Sequence, residues 1–202
     1  PLRRERLGNR SGQASRGLAR FLSMTADYYE FFGLEPRLAL DERDLQARFY
    51  RLSREWHPDR FTARSAAEQQ RAMDATALLN DGYRTLKDPI RRAEYVLRRS
   101  GFDIGEQRSQ DVPPELLEEV FELNMALEEL RTGDAGARPQ LEAARIRFLE
   151  MRAAADAQLA DLFGRYDAGR DRAILAQIRA VLNRRRYIEN LVREVEKTLG
   201  EG

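Results

Sequence analysis

The chain has 202 residues, 42% of them hydrophobic and 34% charged, which suits one ordinary domain or two small ones with a well-solvated surface. Lys and Arg number 35 against 34 for Asp and Glu, and this net charge of +1 gives no indication of a nucleic-acid or membrane partner. The absence of cysteine excludes disulfides, thiolate metal sites and thiol nucleophiles, and no apolar run reaches the roughly 20 residues of a membrane span. We therefore expect a soluble globular protein.

The first 23 residues are rich in arginine, carry Gly and Ser, and show no sustained helical periodicity. An Arg-rich leader with few acids is typical of a mitochondrial presequence. The preferred interpretation is a disordered extension or an over-long gene model, with Met24 as a candidate start. We accordingly predict that residues 1–24 are a disordered extension.

From Asp27 onward every segment has a helical pattern, and no strand pattern appears. Asp27 is predicted to cap a short helix that Gly33 ends, and Asp41 to cap a second helix. Pro58 ends the second helix, because a residue before proline is pushed out of the α region. The apolar stripe of this second helix consists of Leu45, Phe49, Leu52 and Trp56.

A third helix follows, with Gly82 inside it at a cost of about 1 kcal/mol relative to alanine. Asp88-Pro89 opens a fourth helix that runs to about Arg99 and is stopped by Gly101. Residues 102–112 are polar and are predicted to be a linker.

Three long helices are predicted over residues 113–200, separated at 133–136 and near 164–169. Short connections between such helices favour an antiparallel three-helix bundle. The core stripe of the first of them consists of Leu116, Val120, Leu123, Leu127 and Leu130. The fold class is therefore all-α.

The first of these long helices carries a second apolar stripe, about 100–180° from its core stripe at 100° per residue. One interpretation is that the helix is buried on two sides. The other, which we favour, is an exposed patch for a protein partner, edged by Glu122 and Glu129 and extended by Tyr187. The stripe consists of Leu117, Phe121 and Met125.

His57 is the only histidine of the chain, which excludes a metal site built on several histidines. It lies at a helix end, is followed by Pro-Asp, and comes after a helix with a basic face. That face consists of Arg48, Arg51 and Arg54, at i, i+3 and i+6. Such arginines usually form a solvated face, but beside this loop they indicate a docking surface for an acidic partner.

These segments closely resemble a J-domain, which we place at residues 25–101. The resemblance is carried by Asp27-Tyr28-Tyr29, by His57-Pro58-Asp59-Arg60-Phe61, and by the run from Leu79 to Pro89. It implies that the tripeptide His57, Pro58 and Asp59 contacts a DnaK-type ATPase and that the three arginines dock alongside.

The C-terminal half is similar to HscB, the J-protein of iron–sulfur cluster assembly, over Arg92–Leu97 and Pro113–Asn124. Neither a Gly/Phe-rich segment nor CxxCxGxG repeats follow the J-domain, as they would in a general DnaJ protein. The resemblance implies an HscA-type partner and an IscU-type scaffold held on the face of the second stripe. It is also compatible with weak self-association. Trp56 stands where the family usually has tyrosine. The absent cysteine-bearing N-terminal module favours a bacterial cytoplasmic protein over a mitochondrial matrix protein.

The expected function is to deliver the scaffold to the ATPase and to trigger ATP hydrolysis there, with no cofactor, no metal and no catalytic residue in this chain. One rival is a general J-protein for unfolded clients. A second is an enzyme with His57 as general base, which lacks a partnered nucleophile, a phosphate loop and a cofactor motif. A third, nucleic-acid binding through Arg184-Arg185-Arg186, is disfavoured by the balanced charge.

Overall fold

The computed structural model describes residues 27–104, 113–134 and 136–200, and every regular element within these ranges is helical, which confirms the all-α prediction. The predicted extension and most of the predicted linker lie outside these ranges. The α-helices are α1 (Tyr28–Phe32), α2 (Glu42–Glu55), α3 (Ala66–Lys87), α4 (Pro89–Arg99), α5 (Leu117–Arg131), α6 (Ala137–Gly169) and α7 (Arg172–Gly200). Single 3₁₀ turns occupy Pro58–Phe61 and Pro114–Leu116.

The chain forms two compact units. One contains the described residues up to Pro36 together with Leu40–Asp88, and the other contains Arg37–Ala39 together with the described residues from Pro89 onward. Helix α4 thus belongs to the same unit as the long helices.

In the first unit, α2 and α3 pack together and α1 packs on both. Asp41 caps α2 as predicted, because its carboxylate accepts from the N–H groups of Arg43 and Asp44 at 2.8 and 3.4 Å. Gly82 allows α1 to approach α3 closely: a Cβ at this position would lie 2.9 Å from the ring of Phe32. The close approach of two helices explains why a residue unfavourable to helices stands inside α3.

In the second unit, α5, α6 and α7 form the predicted three-helix bundle, in which α6 and α7 make the longest contact. Helix α6 continues through Gly164, where a break was predicted nearby, and ends at Gly169, after which Arg170 adopts a left-handed φ of 55°. The bundle core contains Leu116, Leu123, Ala126, Leu141, Ala144, Phe148, Ile188, Leu191, Val192 and Val195.

The segment Arg37–Ala39 is fixed in the second unit by two polar side chains. The carboxylate of Asp167 accepts from the backbone N–H groups of Leu38 and Ala39 at 2.9 and 2.8 Å. The guanidinium of Arg92, which is almost fully buried, donates to the carbonyl of Leu38 at 2.8 Å. These bonds satisfy backbone groups that no helix ladder serves.

Candidate functional site

The tripeptide His57-Pro58-Asp59 forms the junction between α2 and a 3₁₀ turn. Helix α2 ends at Glu55, and the N–H of Trp56 donates to the carbonyl of Leu52 at 2.9 Å. His57 then leaves the helical region, with φ −60° and ψ 128°, and Pro58 begins the turn. The proline therefore stands at the first position of the turn, where a missing N–H costs nothing.

The tripeptide is exposed, and its neighbours hold it from both sides. The side chains of His57 and Asp59 are 57% and 85% exposed. The rings of Trp56 and Phe61 stack across the turn with centroids 5.9 Å apart and planes within 5°. Arg60 donates from its guanidinium to the carbonyl of Arg54 at 3.0 Å. The turn is thus fastened to the end of α2.

Two polar side chains of α3 also bind the loop backbone, and sequence reasoning missed both. The amide of Gln69 donates to the carbonyls of Thr62 and Arg64 at 3.1 and 3.0 Å. The hydroxyl of Thr76 donates to the carbonyl of Ala72 in its own helix at 2.8 Å and also lies 3.2 Å from the carbonyl of Trp56. No sequence signal marked these residues, because polar residues on a helix commonly face solvent.

The loop ends at a capping box that begins α3. Glu68 accepts from the hydroxyl and the backbone N–H of Ser65 at 2.7 and 3.1 Å, and the Ser65 hydroxyl accepts from the N–H of Glu68. The hydrogen bond from the Ser65 side chain, followed by that from its backbone, lowers the pKa of Glu68 below its ordinary value. The box fixes where the loop stops.

The three predicted docking arginines of α2 differ in their surroundings. Arg51 and Arg54 are exposed, and within residues 27–104, 113–134 and 136–200 neither guanidinium is paired with a carboxylate. Arg48 is half-buried: it pairs with Asp44 at 2.9 Å and donates to the carbonyl of Gly33 at 2.6 Å. Arg48 therefore stabilises the start of the domain, and of the three predicted docking arginines only Arg51 and Arg54 carry charge that is not paired in this way.

The second predicted site lies on the bundle, where the predicted second stripe of α5 is exposed. Leu117, Phe121 and Met125 are 56%, 67% and 51% exposed, whereas Leu123 and Ala126 of the same helix are buried. A groove of about 580 Å³ runs between α5 and α6 beside two of these exposed side chains. Its lining includes Phe121, Glu122, Met125, Gln140, Ala143 and Arg147.

The other residues of the predicted patch differ in whether they line the groove. Glu122 lines the groove and pairs with Arg147 of α6 at 2.8 Å. Leu117 and Glu129 do not line the groove. Tyr187 is half-buried against the bundle core, and burial, followed by the nearby charge of Glu194, raises its pKa.

Helix α6 contributes a wall of the groove that the sequence prediction omitted. Gln140, Ala143 and Arg147 recur at i, i+3 and i+7, which places them on one face beside the core residue Ala144. This spacing was readable from the sequence, but only the packing of α5 against α6 shows which face meets the exposed stripe.

The basic run Arg184-Arg185-Arg186 is neutralised within its own unit. Arg184 lies 3.7 Å from Glu115, Arg185 pairs with Asp156, and Arg186 pairs with Glu94 at 2.8 Å. Positive charge used in this way is not free for phosphate groups, which weighs against the nucleic-acid interpretation.

Comparisons with known proteins identify both parts of the chain. A DnaJ domain model matches residues 27–95, and a model of the HSCB C-terminal oligomerisation domain matches residues 112–196. A co-chaperone protein HscB homologue of Azoarcus sp. (strain BH72) is 33% identical over 178 residues, which are 88% of this chain and 96% of that protein. A homologue of Burkholderia multivorans is 32% identical over 86% of this chain and 94% of its own length. The chain belongs to the HscB co-chaperone family.

Solved structures of the HscB family share the architecture. Chaperone HscB from Vibrio cholerae has a TM-score of 0.60 and 30% identity, covering 87% of this chain and 98% of its own. Human co-chaperone protein HscB has a TM-score of 0.61 and 25% identity, covering 86% and 82%. The predicted resemblance to the HscB family is thereby confirmed. The tripeptide loop lies within the DnaJ match, and the groove lies within the C-terminal match.

Proposed function

We propose that this protein is a co-chaperone that stimulates ATP hydrolysis by an HscA/DnaK-type chaperone and delivers an IscU-type scaffold protein to it during iron–sulfur cluster assembly. The observation that carries the proposal is the exposed His57-Pro58-Asp59 loop of a J-domain, held in place by backbone-directed hydrogen bonds. A loop that is both exposed and fixed is suited to docking on a partner rather than to chemistry of its own.

The docking step on the ATPase is electrostatic and geometric. Arg54 and Arg51 supply unpaired positive charge about one and two turns before the loop, which favours encounter with an acidic surface and sets the orientation. Because the loop is already ordered, its contacts with the ATPase cost less conformational entropy than those of a mobile segment. The arrangement raises the rate of a reaction carried out in the partner's active site.

The cargo site is the groove between α5 and α6. Phe121 and Met125 give it exposed apolar area, and the Glu122–Arg147 pair gives it a polar edge that selects a complementary partner. An apolar centre with a polar rim is typical of an interface with a folded protein, which supports a single folded scaffold as the cargo.

Delivery follows when both partners are bound at once. Tethering the scaffold to the protein that docks on the ATPase raises its effective concentration there, without requiring any new contact between them. The proposal includes no cofactor, metal or catalytic residue, and it places the protein in a bacterial cytoplasm, as the two bacterial relatives suggest. Self-association of the C-terminal domain is part of the proposal only as a weak equilibrium, because the matched family model is described as an oligomerisation domain.

A general J-protein for unfolded clients is the second candidate, because the exposed apolar side chains of α5 could also accept a peptide. The enzyme alternative has less support, since no hydroxyl nucleophile is hydrogen-bonded to His57 in the part of the chain that the structure describes.

The test measures ATPase turnover of an HscA-type chaperone with this protein, with and without an IscU-type scaffold. We expect stimulation by the protein alone, greater stimulation with the scaffold, and loss of both in the His57→Gln variant at unchanged helical content by circular dichroism. Equal stimulation by the scaffold and by an unfolded peptide would favour the general J-protein. No stimulation by the wild type would refute the proposed function.

A further inference from the structure

The two ring nitrogens of His57 lie in different surroundings. Nδ1 lies 3.3 Å from the backbone nitrogen of Asp59, whose N–H points at it, and His57 is the residue immediately before the 3₁₀ turn. This is the position in which the side-chain oxygen of Ser, Asn or Asp caps a helix by accepting from the N–H two residues on. Histidine serves here as the cap.

A second contact of the same nitrogen competes with this one. Nδ1 is also 3.5 Å from the carboxylate of Asp59, and an ion pair there would require a proton on Nδ1. A protonated Nδ1 cannot accept from the N–H of Asp59, so the two contacts exclude each other. We favour the backbone bond, because it is shorter and because the carboxylate is 85% exposed and well solvated.

We infer that His57 acts through both ring nitrogens. Nδ1 caps the turn and thereby keeps the proton of the neutral ring on Nε2, and Nε2–H donates to an acceptor oxygen on the chaperone. The second half of this inference rests on the proposed function. In the tripeptide His57 accepts, Pro58 fixes the first backbone angle of the turn, and Asp59 supplies the N–H donor.

Asparagine and glutamine separate the two roles. The Oδ1 of asparagine lies two bonds from Cβ, as Nδ1 does, so the His57→Asn variant keeps the cap but has no group in place of Nε2. The amide nitrogen of glutamine lies three bonds from Cβ, as Nε2 does, so the His57→Gln variant keeps a donor but loses the cap. The pair differs by one methylene, which makes each a control for the other.

The cap is tested by NMR on the full chain, where the sole histidine makes the imidazole signals unambiguous. At alkaline pH, where an imidazole is neutral, we expect the proton more completely on Nε2 than in the same chain unfolded in urea. Amide exchange at Asp59 should be slower in the wild type and in His57→Asn than in His57→Gln. A proton on Nδ1, or equal exchange in the two variants, would overturn the capping role.

The donor is tested by ATPase stimulation with the same variants. We expect His57→Asn to keep the protected Asp59 amide yet dock at least about fivefold more weakly, as for the loss of one hydrogen bond. His57→Gln should lose protection and stimulation together. Full stimulation by His57→Asn would overturn the donor role, and full stimulation by His57→Gln would show that the cap is not needed for docking. If the wild-type protein stimulates no chaperone, both the proposed function and the donor role of Nε2 are overturned. The NMR measurements still decide whether Nδ1 caps the turn.

Discussion

Truncation of Phe121 to alanine should weaken scaffold binding strongly while leaving the bundle nearly as stable as before. Its side chain is 67% exposed, so only about a third of its area is lost from a packed surface when the ring is removed. Full burial of a phenylalanine stabilises by about 1.5–3 kcal/mol, so the expected loss in the free energy of unfolding is below about 1 kcal/mol. An aromatic anchor in an interface contributes about 2 kcal/mol or more, which is about 30-fold in Kd.

The matched control is Leu123→Ala, two residues further along the same helix. Leu123 lies at the floor of the groove but is only 2% exposed and belongs to the bundle core, so its truncation should cost about 2–5 kcal/mol of stability. Urea unfolding and calorimetric titration with an IscU-type scaffold are measured on both variants, and on Leu117→Ala. Because Leu117 does not line the groove, we expect it to weaken binding less than Phe121→Ala does. A Phe121→Ala variant with the stability loss of Leu123→Ala and unchanged scaffold affinity would refute the assignment of the groove.

Three further predictions concern the first unit, with one control variant on α6. The double variant Arg51→Glu with Arg54→Glu should weaken chaperone docking. The affinity of the wild type should fall as salt rises, since about 0.1 M salt screens exposed charges beyond ~10 Å. A wild-type Kd that does not change with salt would contradict this. Gly82→Ala should destabilise by about 1–2 kcal/mol because its Cβ meets aromatic rings, whereas Gly164→Ala, open on α6, should stabilise by about 0.5–1 kcal/mol; thermal melting of both decides. Gln69→Ala should lower ATPase stimulation at nearly unchanged melting temperature, and full stimulation would remove Gln69 from the positioning of the loop.

Much of the fold was predictable because its signals are local. Asp41 caps a helix from within its own turn, and Gly101 ends α4 with a positive φ of 75°, so neither depends on distant residues. The helical period of the bundle stripes likewise needs only a short window of sequence. The bonds of Asp167 to Leu38 and Ala39 join residues 128 or more positions apart, and no periodic pattern encodes such a pairing.

The candidate sites also combine features visible in the local sequence with features that depend on packing. The exposed stripe of α5 and the tripeptide were predictable, since a second apolar face and a histidine between a helix and a proline are visible in the sequence. The part of Arg147 in the groove required the packing of α6 against α5. The difference between Arg48 and its neighbours required the carbonyl of Gly33 to lie beside it, because all three arginines share one helical face in the sequence.

The side chains proposed to meet partners differ from those that order the loop. Phe121, Arg51 and Asp59 are exposed, and the packed cores do not depend on them. Gln69 instead donates to two backbone carbonyls of the loop, so that its conformation is set before any partner arrives. Ordering a free side chain on binding costs about 0.5–1.5 kcal/mol, and a loop already held avoids much of this cost. If the protein docks on an ATPase as proposed, Gln69 would contribute to that affinity by ordering the loop and not by contact.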